Sequence, residues 1–89
     1  MIYSNTGAPV NKTATGVVAT ASAQLIGVFC ASSSSGTLKL YDNASAASGT
    51  VVVNTFSLTA ATFYPIPASL ANGLHATIGG TADVTFFVA

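Results

Sequence analysis

The sequence predicts an all-β fold: a single small antiparallel β-sandwich of the jelly-roll type, with seven or eight strands and an extended N-terminal arm. Apolar and polar residues alternate with a period of two in several short runs, which is typical of strands with one buried face. Turn residues separate these runs roughly every 8 to 12 residues, a spacing typical of a β-sandwich or a small barrel. No stretch keeps a helical period over about three turns, so no long helix is expected.

The first segment, residues 1–13, is predicted to be an arm, and residues 14–89 are predicted to form the sandwich domain. Turn-forming residues punctuate the arm at every second position: Asn5, Gly7, Pro9 and Asn11. This pattern suits an extended segment that pairs with little of its own chain. Such an arm is often ordered only by a neighbouring subunit, and a frayed terminus is the alternative.

The first strands are predicted between residues 15 and 31. Residues 15–21 form a modest strand with Val17 and Ala19 on one face. Residues 23–31 are apolar on both faces, which is typical of a central strand. The four serines and the glycine that follow, residues 32–36, predict a flexible loop.

The middle of the chain shows the β pattern most clearly. Leu38 and Leu40 share one face of a strand that ends at Asp42, whose side chain favours a turn. In residues 50–58 the apolar side chains change face midway. A bulge near Asn54, or a strand that passes from one sheet to another, would account for this change.

The next segment starts with a short strand at residues 62–64. Pro65 and Pro67 lack N–H groups, so this part of the chain is not expected to form a central strand of a sheet. Residues 68–72 predict a single helical turn capped by Gly73.

A β-hairpin is predicted at the C-terminal end. Residues 74–78 and residues 82–88 each alternate apolar and polar side chains. The pair Gly79-Gly80 lies between these two runs and is typical of a hairpin turn.

The composition is poor in charge. Charged residues make up 4% of the 89 residues, against about 25% in an ordinary soluble domain, and the net charge is zero. This balance gives no basic patch for nucleic acid. A small domain without disulfides also has little margin of stability, and an uncharged surface gives little protection against association. We therefore expect an assembly of several copies rather than a free monomer.

The compartment and membrane signals are weak. Cys30 is the one cysteine, so no intrachain disulfide is expected and secretion is not indicated. The first residues have neither the basic region nor the apolar core of a signal peptide. The most apolar window, residues 17–31, contains polar residues and is shorter than the roughly 20 residues of a membrane helix, so no membrane partner is expected.

Catalytic chemistry is not expected, because the chain has one His, one Cys, two Asp and neither Glu nor Arg. Cys30, His75 and Asp83 could be combined into a nucleophile–base arrangement on paper. Cys30 is better interpreted as a small core residue, and His75 as a surface or interface residue. The predicted hairpin would bring His75 and Asp83 together as a structural cross-strand pair. One His and two Asp do not supply a closed metal site, and no cofactor is expected.

The aromatic residues are the remaining candidates for function. Exposed aromatics can form carbohydrate-binding platforms, for which Tyr41, Tyr64 and Phe87 are candidates, but packing in the core or between subunits is the preferred interpretation. The residues predicted to lie at a subunit or capsid interface are Ile2, Tyr3, Pro9, Tyr41, Phe63, Tyr64 and Phe87.

Four segments carry a family resemblance. They read SGTLKLYDN at 35–43, SGTVVVNTF at 48–56, FYPIP at 63–67 and NGLHATIGGTADVT at 72–85. As a set they resemble the small virion-structural proteins of tailed bacteriophages. Residues 1–30 lie outside this resemblance.

The resemblance implies a non-enzymatic component of the mature virion. The expected role is a capsid decoration (cement) protein, made in the host cytoplasm, that binds the major capsid protein on the exterior of the shell and stabilises it. Since capsid decoration commonly uses three-fold positions, a homotrimer is expected. The alternative is a neck, tail or fibre head component that binds a host receptor or a glycan.

Overall fold

Every regular element in the described part of the chain is a β-strand. The computed structural model describes residues 7–89, and the strands are β1 (Ala8–Lys12), β2 (Gly16–Ala19), β3 (Ala23–Asp42), β4 (Thr50–Ser57), β5 (Thr62–Leu70) and β6 (Leu74–Val88). All strand pairs are antiparallel and belong to one sheet. The antiparallel all-β prediction is therefore confirmed. A separate second sheet, as a sandwich or jelly roll requires, is not seen in residues 7–89, and six strands replace the seven or eight predicted.

The strand count is lower because two pairs of predicted strands are each one long, bent strand. β3 has 20 residues and runs through the predicted loop at 32–36. β6 has 15 residues and runs through the predicted Gly79-Gly80 turn. The two strands pair with each other from Leu25↔Val88 to Tyr41↔His75. The predictions of a flexible loop at residues 32–36 and of a C-terminal hairpin are thus wrong.

The bend is a bulge shared by β3 and β6. The register between these strands shifts between Ser34 and Thr37, and Ser35 has a positive φ of 54°. The Ser33 hydroxyl accepts a hydrogen bond from the Gly36 N–H at 3.1 Å and donates one to the Leu58 carbonyl at 3.1 Å. A bulge of this kind bends a strand without ending its pairing. The Ser33 hydroxyl therefore satisfies two backbone groups where the sheet turns.

The bend divides the sheet into two halves. The first half-sheet has the order β1–β6–β3–β5 and uses residues 82–88 of β6 and 23–31 of β3. The second half-sheet has the order β2–β6–β3–β4 and uses residues 74–79 of β6 and 37–42 of β3.

The two half-sheets share one core. The buried apolar side chains from both halves form a single cluster: Leu25, Val28, Cys30, Leu38, Leu40, Leu58, Leu70, Leu74, Ala76, Ala82, Val84 and Phe86. Removing a large apolar side chain from water stabilises a fold by about 1.5–3 kcal/mol. The predicted inward faces of the strands around Leu38 and Val84, and the core position of Cys30, are confirmed.

Part of the predicted arm belongs to the sheet. Residues 1–6 lie outside the described residues, whereas β1 pairs with β6 from Ala8↔Val88 to Lys12↔Val84. Val10 packs against the core. This differs from an arm that pairs with little of its own chain, because β1 covers an edge of β6 that would otherwise be open.

Asp42 joins the end of β3 to the turn between β5 and β6. Its carboxylate accepts hydrogen bonds from the backbone N–H groups of Ala71 (3.0 Å), Asn72 (2.8 Å) and Gly73 (3.2 Å). These bonds, from Asn72 and Ala71 above all, lower the pKa of Asp42. The predicted helical turn at 68–72 is wrong, since β5 continues to Leu70 and the carboxylate satisfies the backbone donors beyond it.

Replacing Asp42 by asparagine should destabilise the fold at neutral pH, because an amide has one acceptor oxygen where the carboxylate uses two. In the folded chain the pKa of Asp42 lies below its ordinary value of 3.8. The stabilisation is therefore present above that value and is lost as the pH falls through the folded-state pKa. Urea unfolding should give a lower midpoint for Asp42→Asn than for the wild type at pH 7, and the gap should close in acid.

Asp83→Asn is the matched control. The Asp83 carboxylate accepts a side-chain hydrogen bond from Asn11 Nδ2 at 2.6 Å, at an exposed position, and no backbone turn depends on it. Its replacement should move the midpoint little. Equal losses in the two variants, or a gap that widens in acid, would contradict the role given to Asp42.

Candidate interaction surface

The residues that could have formed a catalytic arrangement are separated by the fold. His75 lies in the second half-sheet, whereas Cys30 and Asp83 lie in the first. His75 and Asp83 belong to the same strand, so the predicted cross-strand pair is wrong. Asp83 is instead bonded by Asn11. His75 is 7% exposed rather than on the surface, and its ring packs edge-on against Tyr41.

Cys30 is a core residue. It is fully buried, and its Sγ donates a hydrogen bond to the Ser32 carbonyl at 3.3 Å. Burial raises the pKa of the Cys30 thiol, and the nearby negative charge of Asp83 raises it further. The neutral thiol is therefore favoured at physiological pH, which is the opposite of what a nucleophilic cysteine requires.

Two further features are absent from residues 7–89. No three His, Cys, Asp or Glu side chains in this part of the chain come together in a group able to hold a metal ion. A helix of the length and apolarity needed to span a bilayer is also not found there.

The side of the first half-sheet that faces away from the core carries an apolar surface. We define the apolar outer face by five residues, one or two from each strand: Pro9, Phe29, Phe63, Pro65 and Phe87. Each of them has at least one chain neighbour that belongs to the core cluster or packs against it, and none of the five does so itself. Phe63 is 47% exposed, Pro9 and Pro65 are exposed, and the other two are half-buried.

The strand register aligns these residues in two adjacent rows. The first row crosses all four strands as Pro9, Phe87, Gly27 and Pro65. The second row crosses them as Asn11, Thr85, Phe29 and Phe63. Apolar residues therefore fill the side of the face nearest β5, and two polar residues border it on the side of β1.

Gly27 permits the packing of this face. A Cβ atom at residue 27 would lie 2.5 Å from Cζ of Phe63 and 2.8 Å from the Tyr64 carbonyl oxygen. The Phe63 ring therefore occupies the space above the glycine and meets Phe87 edge-on, with 6.2 Å between ring centroids. The two rings form a continuous surface because residue 27 has no side chain.

The outer face of the second half-sheet is different in chemistry. The strand register places Val17, His75, Tyr41 and Val51 in its central row, in which the His75 side chain is buried. Lys39 adds a charge, and its Nζ lies 5.1 Å from the centroid of the Tyr41 ring. We call this surface the polar outer face.

The structure brings together only some of the predicted interface residues. Pro9, Phe63 and Phe87 share the apolar outer face, whereas Tyr41 lies on the polar outer face. Tyr64 packs against the core, and its hydroxyl oxygen accepts a hydrogen bond from the Thr59 N–H at 2.8 Å. The other two predicted residues, Ile2 and Tyr3, lie outside the described residues.

Two residues of the apolar outer face were missed by the sequence reasoning, Phe29 and Pro65. Phe29 lies in a run that is apolar on both faces, a pattern that predicts a strand buried on both sides. The structure covers only one side of that strand with its own chain. The apolar residues on the second side of this strand are therefore the feature of the sequence that indicates an exposed apolar surface.

The strand edges are poorly suited to pairing with another chain. β5 contains Pro65 and Pro67, and β1 contains Pro9, so both edges lack some N–H donors. β4 has two register shifts against β3, one of them at the predicted bulge near Asn54, which is confirmed. β2 has four residues. Prolines, bulges and short strands are the usual means by which a sheet edge avoids strand addition, so a face is the better candidate for association.

Comparison with protein-family models, with curated proteins and with solved structures gave no match.

Proposed function

We propose that this chain is a non-enzymatic structural protein of a tailed-phage virion, and specifically a capsid decoration (cement) protein. It binds the major capsid protein at the exterior of the shell and stabilises the shell. The resemblance of four segments to small virion proteins supports the phage context. The apolar outer face supports a role that is carried out in contact with other subunits.

The apolar outer face is the observation that carries this proposal. Phe63 is 47% exposed and lies with two prolines and two further phenylalanines on one side of a four-stranded half-sheet. A contiguous apolar surface of this kind on a soluble domain marks an interaction site. With four charged residues in the whole chain, electrostatic attraction contributes little to such contacts. Burial of apolar area, at about 25 cal/mol per Å², supplies the binding energy.

A protein that binds only the intact shell raises the stability of that shell by mass action. The effect should depend little on salt, because screening acts on exposed charges and not on apolar burial. A chain with few charges, a bent sheet and an exposed apolar face meets these requirements. Self-assembly is part of the proposal, and three copies are implied by the resemblance.

The test compares purified virions with particles that lack this chain. Removing the gene should lower the temperature at which heads release DNA, and adding back the purified chain should restore it. Adding back Phe63→Lys should restore it poorly, whereas Val51→Lys, a change on the polar outer face, should act as the wild type does. Mass spectrometry should count roughly hundreds of copies per particle, as expected for a shell lattice.

Two results would overturn the proposal. Unchanged heat stability, in particles shown to lack the chain, would exclude cementing. Roughly a dozen copies per particle, with loss of adsorption and intact heads, would instead place the chain in a neck, tail or fibre.

A further inference from the structure

We infer that the apolar outer face packs against the same face of a second copy of this chain, forming a two-fold pair. The inference rests on the proposed structural role only in that many copies must be present together. Four properties of the face support this pairing: its charge, its polar border, its edges and its size.

The face requires an uncharged partner. None of its five residues carries a charge, and covering them with an ordinary protein surface, about 25% of it charged, would remove charges from water without compensation. A surface that meets this requirement must be apolar over the same area. The same face of another copy is such a surface.

The polar border of the face is already satisfied. The Asn11 side-chain amide donates to Asp83 Oδ1 at 2.6 Å and to Thr85 Oγ1 at 3.2 Å. Hydrogen bonds within the chain thus occupy the polar groups nearest the phenylalanines. The Asp83 carboxylate keeps its negative charge, because the Asn11 amide that bonds it is neutral. A second copy must therefore leave this carboxylate at the solvated rim of the contact and cover the phenylalanines and prolines beside it.

The edges of the first half-sheet disfavour strand addition, which is the other common route to association. Prolines in β1 and β5 interrupt the donors along both edges of the first half-sheet. Strand addition from a second copy would therefore form a broken ladder. Packing face against face uses none of these edge groups, and two sheets commonly pack in this way about 10 Å apart.

The size of the face sets the strength of the pair. The whole outer side of the first half-sheet, polar border included, has four strands about 4.8 Å apart and about seven residues long at ~3.3 Å per residue, which gives at most roughly 440 Å² per copy. A pair therefore buries at most roughly 900 Å², below the range of about 1,200–2,000 Å² of stable complexes. The pair should be weak, with a dissociation constant on the order of micromolar. A self-complementary contact is completed by two copies, so it favours a dimer over the homotrimer implied by the resemblance.

Sedimentation velocity on the purified full chain, from about 1 µM to about 1 mM, tests the inference. The wild type should pass from monomer to dimer over this range. Phe63→Lys should weaken the dimer at least about tenfold, because a buried lysine would have no partner on the other face. Val51→Lys is the control: Val51 is 43% exposed, close to Phe63 at 47%, but lies on the other half-sheet, so its dimer should be unchanged.

Phe63→Ser is a second variant that removes the ring without adding charge, and it should also weaken the dimer. Urea unfolding at low concentration establishes that each variant is folded. The inference is overturned by a monomer at every concentration, by a trimer, or by self-association that is equally strong in the Phe63 variants. It is also overturned if the chain alone sediments as a monomer and associates only with isolated coat protein, because the face would then bind coat protein instead of a second copy. These results concern the free chain, so they are separate from the virion experiment that tests the structural role.

Discussion

Replacing Phe86 by alanine should lower the free energy of unfolding by about 3–5 kcal/mol. Phe86 is fully buried and lies in the core cluster, with Val10 on one neighbouring strand and Val28 on the other. The substitution loses the transfer free energy of the ring and leaves a cavity that three paired strands cannot close. Since single domains are stable by only about 5–15 kcal/mol, and small ones lie at the low end, most of the fold's stability would be lost.

Phe87→Ala is the matched control, because the same change is made one residue further along the same strand. The Phe87 ring lies on the apolar outer face and is half-buried, so its removal should cost about 1 kcal/mol or less in the monomer. Both values come from urea unfolding at a concentration low enough to avoid association. Equal losses, or a larger loss for Phe87→Ala, would contradict the placement of Phe86 in the core and of Phe87 on the outer face of β6.

The faces of most strands could be predicted from the sequence because side-chain alternation is a local property. The period of two around Leu38 and Val84 identifies which side chains point inward, and the structure agrees. Pro65 and Pro67 placed their segment at an edge, which is also correct, because a missing N–H excludes a central position wherever the strand lies.

The connections could not be predicted, because a turn and a bulge use the same residues. Residues 32–36 and the Gly79-Gly80 pair have the small, flexible side chains of loops and hairpins. Whether the chain reverses or only bends depends on the strand opposite. Here each segment lies across from the other, so both bend together and pairing continues. That relation joins residues distant in sequence, and no local pattern contains it.

The grouping of residues on the candidate surface could not be predicted either, because it also depends on residues distant in sequence. Pro9 could be selected as an apolar residue of the predicted arm, and Phe63 and Phe87 as apolar residues of predicted strands. Their placement on one face depends on the register of four strands, in which Pro9, Phe87, Gly27 and Pro65 form a row. Tyr64 and Tyr41 had the same local signals, yet one packs against the core and the other lies on the polar outer face.

Replacing Gly80 by alanine should destabilise the chain by about 2–4 kcal/mol, because this glycine lies where β6 bends. Its φ is +65°, a left-handed conformation that costs an alanine about 1 kcal/mol more than a glycine. A Cβ atom there would also overlap the Ser35 carbonyl oxygen and lie 3.1 Å from that of Ser34. Both oxygens belong to the backbone of the bulge in β3, so relief of the overlap requires the bend itself to change.

Gly79→Ala is the matched control. It also replaces a glycine at the bend, but without the positive φ and the backbone overlap found at Gly80. Residue 79 has no positive φ, and a Cβ atom there would approach Oγ1 of Thr37, a side-chain atom that can rotate away. Urea unfolding should therefore give a loss for Gly79→Ala of less than about half that for Gly80→Ala. Similar losses in both variants would show that glycine is needed at the bend for space alone. A larger loss at Gly80 than at Gly79 supports a bulge at which β3 and β6 bend together. The two half-sheets share one core because of this bend.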